Sequence, residues 1–581
     1  MASKKEEKEA VELSQPRLKT LSVKNFRCIG SKLVTIELDD IVVLVGPNNV
    51  GKSTILKAYQ VVMSHGSKEG KLSLEDFPRG KVDPSKLPEV ELVTVIKDSA
   101  PGAQWVRTNE DGEMEVRERW RWLEEGDPIR QGWNVQKNDW DDKVPWGAPN
   151  VAKSHRPEPH RVGAFDSPEE QSEAITKILM KELGDRVKNL ESTVEEGNES
   201  SYGKLLENVK QIQKEIVKEA QAEISAVEGQ LKSAIHEVFP NYIIKFDAKP
   251  EENLEESVSL FKSNPQLRMG PEGGFLCSID RQGSGARRTL LWTALKVVSE
   301  KNSAKKSESR PQVLLLDEPE ICLHPNAIRE ACNLLYDLPR KSNWQVMVTT
   351  HSPCFVDVSR DNTTIIRVEI DSSGDVAGTT IFRPSRAHLD DDDRRNLKLL
   401  NLCDPYVTEF FFGGRSIIVE GDTEYTAFNY VREKYPEHFK NIHIIRARGK
   451  ATIVSLMKIL NHFGNPYSVL HDVDKKTVKR KSGSEITNPA WSKNFDILEE
   501  AKKSTNKVTL VASIPTFEGA YFNEEAIDKE KPYSALMKLR ESGEFFSNVC
   551  SLFEYLAGTG EKLPKNAIDW NSKEQIESLV V

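Results

Sequence analysis

Residues 42–56 read VVLVGPNNVGKSTIL. An apolar run, Ile41–Val45, meets a Gly/Pro/Asn turn, and Gly51, Lys52, Ser53 and Thr54 then open an apolar segment with helical spacing. The interval from Gly46 to Gly51-Lys52-Ser53 fits G-x-x-x-x-G-K-[ST] in the strand-then-helix setting that gives the pattern its mechanism. Backbone N–H groups of the turn, which includes Asn48 and Asn49, converge on phosphate oxygens. Lys52 reaches the outer phosphates, the Ser53 hydroxyl offers itself to Mg²⁺, and the dipole of the helix that starts here favours an anion. A Gly-rich turn without a ligand gives the same short pattern. The loop therefore decides the fold only if the rest of the chain supplies the other half of a nucleotide site.

Three later segments supply it. QVLLLDEPEICLHP (312–325) is an apolar strand running into Asp317 and Glu318. An aspartate at that strand tip holds Mg²⁺, and the following glutamate polarises the water that attacks the γ-phosphate. WQVMVTTHS (344–352) is a second apolar strand and ends near His351, whose imidazole can sense a γ-phosphate. DRQGSGARRTLLWTAL (280–295) places Gly283, Ser284 and Gly285 at a helix start, where N–H groups and a hydroxyl can meet a phosphate. Each alone is a weak signal, since a histidine after a strand is usually structural. Their order and spacing together argue against coincidence.

A second cluster follows residue 412. RSIIVEGDTEYTAF (415–428) is a strand ending in Glu420, with Glu424 at a helix start; YSVLHDVDKK (467–476) is a strand ending in Asp472 and Asp474. IPTFEGAYF (514–522) adds Glu518 after a third strand-like run, KVTLVASIP. Carboxylates at the ends of neighbouring parallel strands converge on one sheet edge, where oxygen ligands bind Mg²⁺ or Mn²⁺. Two such ions suit phosphodiester cleavage, one activating water and the other stabilising the leaving oxygen. The run KKTVKRK, with Lys475, Lys476, Lys479, Arg480 and Lys481, lies beside these carboxylates. It reads equally as a solvated loop and as a grip on nucleic-acid phosphates.

At 581 residues the chain is too long for one core. Its punctuation divides it into a charged tail (1–17), the N-terminal half of an ATPase head (18–167), a helical arm (168–240), the C-terminal half of the head (241–390), a charged linker (391–411) and a second α/β domain (412–581). The main boundary is expected near residues 390–412. Residues 81–168 hold six of the ten tryptophans. Strand-like runs such as VELVTVIKD and MEVRERWRW make this stretch a β-rich continuation of the head, its tryptophans core residues before they are stacking platforms for nucleic acid. The Glu/Lys-rich arm is a dimerisation candidate or a packed helical insert. The segment Glu300–Gln312 is expected as a surface loop. Seven scattered cysteines without a CxxC pair argue against a disulfide framework and a zinc site. No apolar run reaches the ~20 residues that span a bilayer, and the charged N-terminus lacks a signal peptide's apolar core. The expectation is a cytoplasmic protein with no membrane partner. The net charge of −9 excludes uniform coating by nucleic acid but not a local basic channel.

Taken together, the first set of segments resembles the ABC ATPase superfamily: Walker A from Gly46 to Thr54, a signature-like Ser284-Gly285, Walker B at Asp317-Glu318, a D-loop-like Glu320–Pro325 and a switch histidine, His351. EPEICLHP and TTHSP resemble its SMC/Rad50-like and OLD-like branch. In that superfamily the signature of one head closes over ATP held by another, so the resemblance implies a homodimer or larger assembly. GSGARRTL departs from the usual Ser-Gly-Gly, so it implies ATP binding more firmly than turnover. The second set resembles the Toprim fold. A head joined to a Toprim domain through FFFGGRSIIVEGDTE is similar to the OLD (overcoming lysogenisation defect) nuclease family, which includes antiviral effectors. That resemblance implies an α/β protein in which an ABC-type head with a helical insertion precedes a Toprim domain. It further implies an ATP-regulated, metal-dependent DNA endonuclease with Glu420, Glu424, Asp472, Asp474 and Glu518 as ligands of Mg²⁺ or Mn²⁺, two per site. The family also uses a lysine near the C-terminus, for which Lys562 and Lys565 stand, Lys565 preferred. DNA and a second copy are the implied partners, with a helicase or a retron-type reverse transcriptase and its nucleic acid as further candidates. The competing readings are a non-nucleolytic ATPase clamp or sensor that binds nucleic acid, and a topoisomerase or primase.

Overall fold

The computed structural model describes residues 16–97, 101–163, 166–191, 225–233, 235, 242–247, 266–301, 311–341, 344–371, 374–383, 387, 389–463, 466–479, 485–522 and 530–579. The described chain divides into two compact units, one of residues 1–42 with 51–350 and one of residues 43–50 with 351–581. The division therefore falls within the phosphate loop and after the strand Trp344–Thr349, away from residues 390–412.

The first unit holds a seven-stranded antiparallel sheet built from Arg17–Lys24, Val34–Glu37, Glu89–Ile96, Val106–Thr108, Met114–Arg121, Ile129–Asn134 and Asp139–Asp141. The Trp-rich stretch is thus β-rich, as its alternation predicts. In Met114–Arg121 the residues Val116, Glu118 and Trp120 are buried while the arginines between them are half-buried, the period-2 pattern of a sheet with one wetter face. Trp105, Trp120 and Trp122 are core residues. Trp133 and Trp140 are half-buried and meet edge to face at 5.3 Å, with the Arg117 guanidinium 5.0 Å from each ring.

Three parallel strands carry the chemistry of this unit. Gln312–Asp317 lies between Glu158–Val162 and Trp344–Thr349, and it and Trp344–Thr349 are buried along their whole length, as strands covered on both faces must be. Gln345 stitches this layer to the antiparallel sheet: its side chain accepts from the Leu18 N–H at 2.7 Å and donates to the Leu18 carbonyl at 2.9 Å. Glu118 anchors the Trp-rich stretch from inside. It is 1% exposed and accepts from Arg130 Nε at 2.8 Å and from Arg156 Nε at 2.8 Å, two residues before the strand Glu158–Val162.

Of the arm expected at 168–240, the structure describes the helix Pro168–Glu191 and helical residues at 225–233; its proposed dimerisation surface lies largely outside the described residues. Most of the loop expected at 300–312 lies outside them too, residues 302–310. The free cysteines are Cys28, Cys277, Cys322, Cys332, Cys354 and Cys550 among the described residues, in keeping with reduced thiols. No helix among them is long and apolar enough to cross a membrane.

The second unit contains the antiparallel hairpin Thr363–Ile370/Val376–Phe382 and a five-stranded sheet in the order 442–446, 415–419, 467–472, 508–513, 567–569. Its first four strands are parallel and the last is antiparallel. Phe428, Phe439 and Phe553 stack beneath it, with ring centroids 4.6 and 4.1 Å apart. The expected charged linker is a helix, Asp391–Cys403. Asp390 caps it, accepting from the Asp393 N–H at 2.8 Å, and three further aspartates in the first turn match the helix dipole. Asp393 is buried and accepts from Ser455 at 2.7 Å and from Lys458, so the acidic run is a docked helix start.

Glu118→Ala leaves the Arg130 and Arg156 guanidinium groups buried without their carboxylate. It is expected to cost about 3–5 kcal/mol, read as a lower urea midpoint of the first unfolding transition by tryptophan fluorescence.

Candidate functional site

Two sets of polar side chains answer the two sequence clusters. In the first unit, Gly51 stands in the left-handed region at φ 98° and opens the helix Lys52–Met63. The Ser53 hydroxyl donates to Asp317 Oδ1 at 2.7 Å, and Thr349 Oγ1 donates to the same oxygen at 2.6 Å. Walker A serine and Walker B aspartate thus meet across 264 residues of sequence. Glu318 follows at φ 46°, a costly conformation for a glutamate. Its N–H is held by the carbonyl and the hydroxyl of Thr349, both at 3.0 Å. Lys52 is buried; desolvation lowers its pKa, opposed by the charges of Glu318, Asp317 and Glu320. Thr54 is buried behind the loop, 3.4 Å from the Cys28 thiol.

Ser284 is exposed at the start of the helix Ser284–Lys301, and a Cβ on Gly285 would come within 2.9 Å of the Cys322 carbonyl in the D-loop-like stretch. The unusual arginines of GSGARR face inward. Arg287 donates to Gln171 at 3.0 Å and Arg288 to the Gly163 carbonyl at 2.6 Å. Asn48, at the loop tip, Asn49 at φ 62°, and His351, two residues past the strand Trp344–Thr349, are grouped with the second unit.

The second unit's carboxylates gather at the C-terminal edge of its parallel strands. Glu420 follows Arg415–Val419 and accepts from the Asp472 N–H at 3.0 Å. Asp472 ends Tyr467–Asp472 and accepts from the Phe517 N–H at 2.8 Å. Glu424 is buried in the first turn of Asp422–Lys434, where Gly421 leaves room: a Cβ there would stand 3.2 Å from Glu424 Oε2. Glu518 is buried, accepting from Thr423 at 3.1 Å and pairing with Lys531 at 3.4 Å. Asp474, at φ 64°, pairs with Lys450.

This crowding is electrostatically unfavourable. Burial, reinforced by Glu420 and Glu518, pushes Glu424 up to about 8. Burial also raises Glu420 and, with the charges of Glu424, Glu420, Glu518 and Asp474, raises Asp472 well above the ordinary carboxylate range. The five side chains feel one another, yet among the described residues no three acidic, cysteine or histidine groups close into a ready-made shell for one ion. The donor set still fits a hard divalent cation: five carboxylates meet on one edge, where burial and mutual repulsion oppose the ionisation that a cation would restore.

The comparisons with known proteins agree with this division. A model of the AAA ATPase domain matches residues 17–102 and 166–356, and one of the TOPRIM domain of overcoming lysogenization defect protein-like chains matches 411–474. The Old nuclease of Escherichia phage P2 is 23% identical over 477 residues, covering 79% of this chain and 77% of its own. The OLD nuclease of Thermus scotoductus is 24% identical over 490 residues, covering 81% and 84%. The chain combines an ATPase domain with an OLD-like TOPRIM domain and so fits the OLD-type ATPase–Toprim proteins. Among solved structures, an Smc head domain with an extended coiled coil, bound to a C-terminal domain of ScpA derived from Pyrococcus furiosus, aligns with TM-score 0.39 and 16% identity, covering 63% of this chain and 97% of its own. The SMC head domain from Thermotoga maritima aligns with TM-score 0.31 and 14% identity, covering 63% and 98%. Residues 103–165 fall outside the ATPase match, and they supply the strand Glu158–Val162 beside Walker B.

For this OLD-type chain the register separates the two C-terminal lysines. Asp472 pairs with Ser513 and Ser513 with Ala567, while the Asn566 carbonyl accepts from the Ile514 N–H at 3.0 Å. Exposed Lys565 therefore flanks the carboxylate edge, and Lys562 stands three residues further back. Lys475, Lys476 and Lys479 are exposed on or beside a small hairpin, Thr477–Lys479/Glu485–Thr487, whereas Arg480 and Lys481 lie outside the described residues. Sequence reasoning missed Lys450, Thr423 and Lys531. For Lys450 a signal existed: RARGK follows a strand of the same sheet and opens a helix at the same edge. It also missed buried His471, which accepts from Trp570 Nε1 at 3.1 Å and is pushed down to about 3 by burial, and so stays neutral.

A carboxyl whose folded pKa is raised stabilises the fold below its unfolded pKa, and that stability is lost as pH rises through the folded value. With Glu424 near 8, the metal-free protein is expected to melt at progressively lower temperature from about pH 4.5 towards 8. Glu424→Gln flattens that slope in calorimetric scans.

Proposed function

We propose that this chain is an ATP-binding, divalent-metal-dependent DNA endonuclease of the OLD type, acting as a homodimer or larger assembly in antiviral defence, with its nuclease regulated by its ATPase head. The observation that carries the reading is the convergence of Glu420, Glu424 and Asp472, with Asp474 and Glu518, on one edge of the parallel sheet, in a chain whose relatives are named nucleases. Glu420, Asp472 and Asp474 would hold the metal, with Glu424 and Glu518 behind them. Mg²⁺ or Mn²⁺ there activates water and stabilises the leaving oxygen of a phosphodiester. Lys565 flanks the edge as a cation for the strained phosphate, and Lys475, Lys476 and Lys479 offer sequence-independent grip on the DNA backbone. In the head, Ser53 and Asp317 would share Mg²⁺, Lys52 would reach the outer phosphates, and Glu318 would polarise the attacking water. Exposed Ser284 with Gly285 would serve a second copy's nucleotide.

Contacts inside the second unit support regulation. A Cβ on Gly46, at the start of the phosphate loop, would fall 2.0 Å from the Val368 carbonyl, so the loop is seated on the strand Thr363–Ile370. The neighbouring Arg367, buried, donates to the carbonyls of Phe411 at 3.2 Å and Phe410 at 3.1 Å, just before the strand that ends in Glu420. Thr408 donates to the Pro353 carbonyl at 3.0 Å, two residues after His351. Nucleotide can bias the nuclease through such contacts only by binding two arrangements with different affinity, typically by ~1–3 kcal/mol.

Asp472→Ala is expected to abolish cleavage of plasmid DNA in Mg²⁺ or Mn²⁺ while the fold survives; cleavage at the parental rate refutes the site. The assay is run with the chain alone, then with a helicase or a retron-type reverse transcriptase and its nucleic acid. ATP is expected to lower the cleavage rate, Glu318→Gln to hold the ATP-favoured rate, and Lys52→Ala to lose both ATP affinity in calorimetry and the response. Identical rates for all three proteins across ATP concentrations would remove regulation from the reading.

A further inference from the structure

Lys450 is absent from the roles above, yet its surroundings are unusual for a lysine. It opens the helix Lys450–Phe463, after the strand Ile442–Arg446 and Gly449, whose φ of 123° lets the chain turn there. Its side chain is 3% exposed. The ammonium donates to the Asp474 carboxylate and to the Ala490 carbonyl at 3.3 Å. Its charge also reaches Glu420, which it draws down, and His471, whose protonation it opposes. Lysine is almost never buried to this degree unless paired. Here it stands beside carboxylates whose ionisation is opposed by burial and by one another, and favoured at Glu420 by this lysine. Asp474 is held in a left-handed turn from two sides, by this ammonium and by its own N–H donating to the Pro515 carbonyl at 3.0 Å.

We propose that Lys450 is a positioning residue that sets the metal affinity of the carboxylate edge: it fixes Asp474 and, in the metal-free protein, supplies part of the charge balance that a divalent ion takes over. The inference rests on the metal reading under "Proposed function". A cation arriving at Asp474 meets a full positive charge already hydrogen-bonded to its ligand and must share or displace it. The flexible four-carbon stem of lysine permits that withdrawal. The pair thus weakens metal binding while making the empty site tolerable to the fold.

The test uses the full-length protein, Mn²⁺ as the probe, and the variants Lys450→Met and Lys450→Arg. Calorimetric titration should show Mn²⁺ binding at least about tenfold more tightly to Lys450→Met than to the parent, the scale on which one adjacent full charge shifts a neighbouring acid. Its metal-free melting temperature should fall and be restored by Mn²⁺, since a ligand of the native state stabilises it by mass action. Lys450→Arg, which keeps the charge, should retain the parental Mn²⁺ affinity. A merely loosened fold would bind Mn²⁺ more weakly, so equal or weaker binding by Lys450→Met overturns this inference alone, provided the parent binds Mn²⁺. A parent that binds no Mn²⁺ at millimolar concentration overturns the metal reading and this inference with it.

Discussion

The constraint on which the second half of this protein depends is like charge held out of water. Parallel strands place their C-terminal ends on one edge, and this sheet ends two of them in acidic residues, with further carboxylates on the helices that follow. Each carboxylate is tethered by a hydrogen bond that also costs it freedom: Glu420 to the Asp472 backbone, Asp472 to that of Phe517, Glu518 to Thr423. The fold around them is therefore committed before any cation arrives. Phe428, Phe439 and Phe553 stack in the core beneath the same sheet, and burial at that edge is what drives Glu424 and Asp472 up.

The nucleotide centre solves a milder version of the same problem. Asp317 is buried but takes two hydroxyl donors, Ser53 and Thr349, and lies within the field of Lys52. Lys52 there faces Asp317, Glu318 and Glu320, and the Toprim edge likewise sets more carboxylates than lysines, with Lys450 and Lys531 as the cations paired to it.

The second unit groups head-derived and Toprim-derived pieces in one compact body. The first half of the phosphate loop, the hairpin Thr363–Ile370/Val376–Phe382 and the helix Asp391–Cys403 all belong with the sheet that carries Glu420. Arg367 donates to the Phe411 and Phe410 carbonyls where the chain passes from one to the other. The acidic run DDDDRR, which reads as a solvated linker, has a structural task there because Asp390 caps a helix and Asp393 is bonded to Ser455 and Lys458.

Local pattern was enough to determine the phosphate loop, the Walker B strand and the carboxylate-ending strands, because each depends on a turn, a buried apolar run and the residue that follows. The expectation that the tryptophans of 81–168 are core holds for Trp105, Trp120 and Trp122, whereas Trp133, Trp140 and Trp146 are half-buried. Register and long-range contact were not legible. The motifs put Ser53 and Asp317 in one site, but nothing local tells that Lys565 flanks Asp472 through Ser513 and Ala567, or that Lys450 is buried against Asp474. Those pairings depend on which strands become neighbours, a choice made by the packing of the whole sheet. A lysine at a helix start reads as solvated, and only the carboxylates that the tertiary structure brings around it make burial tolerable.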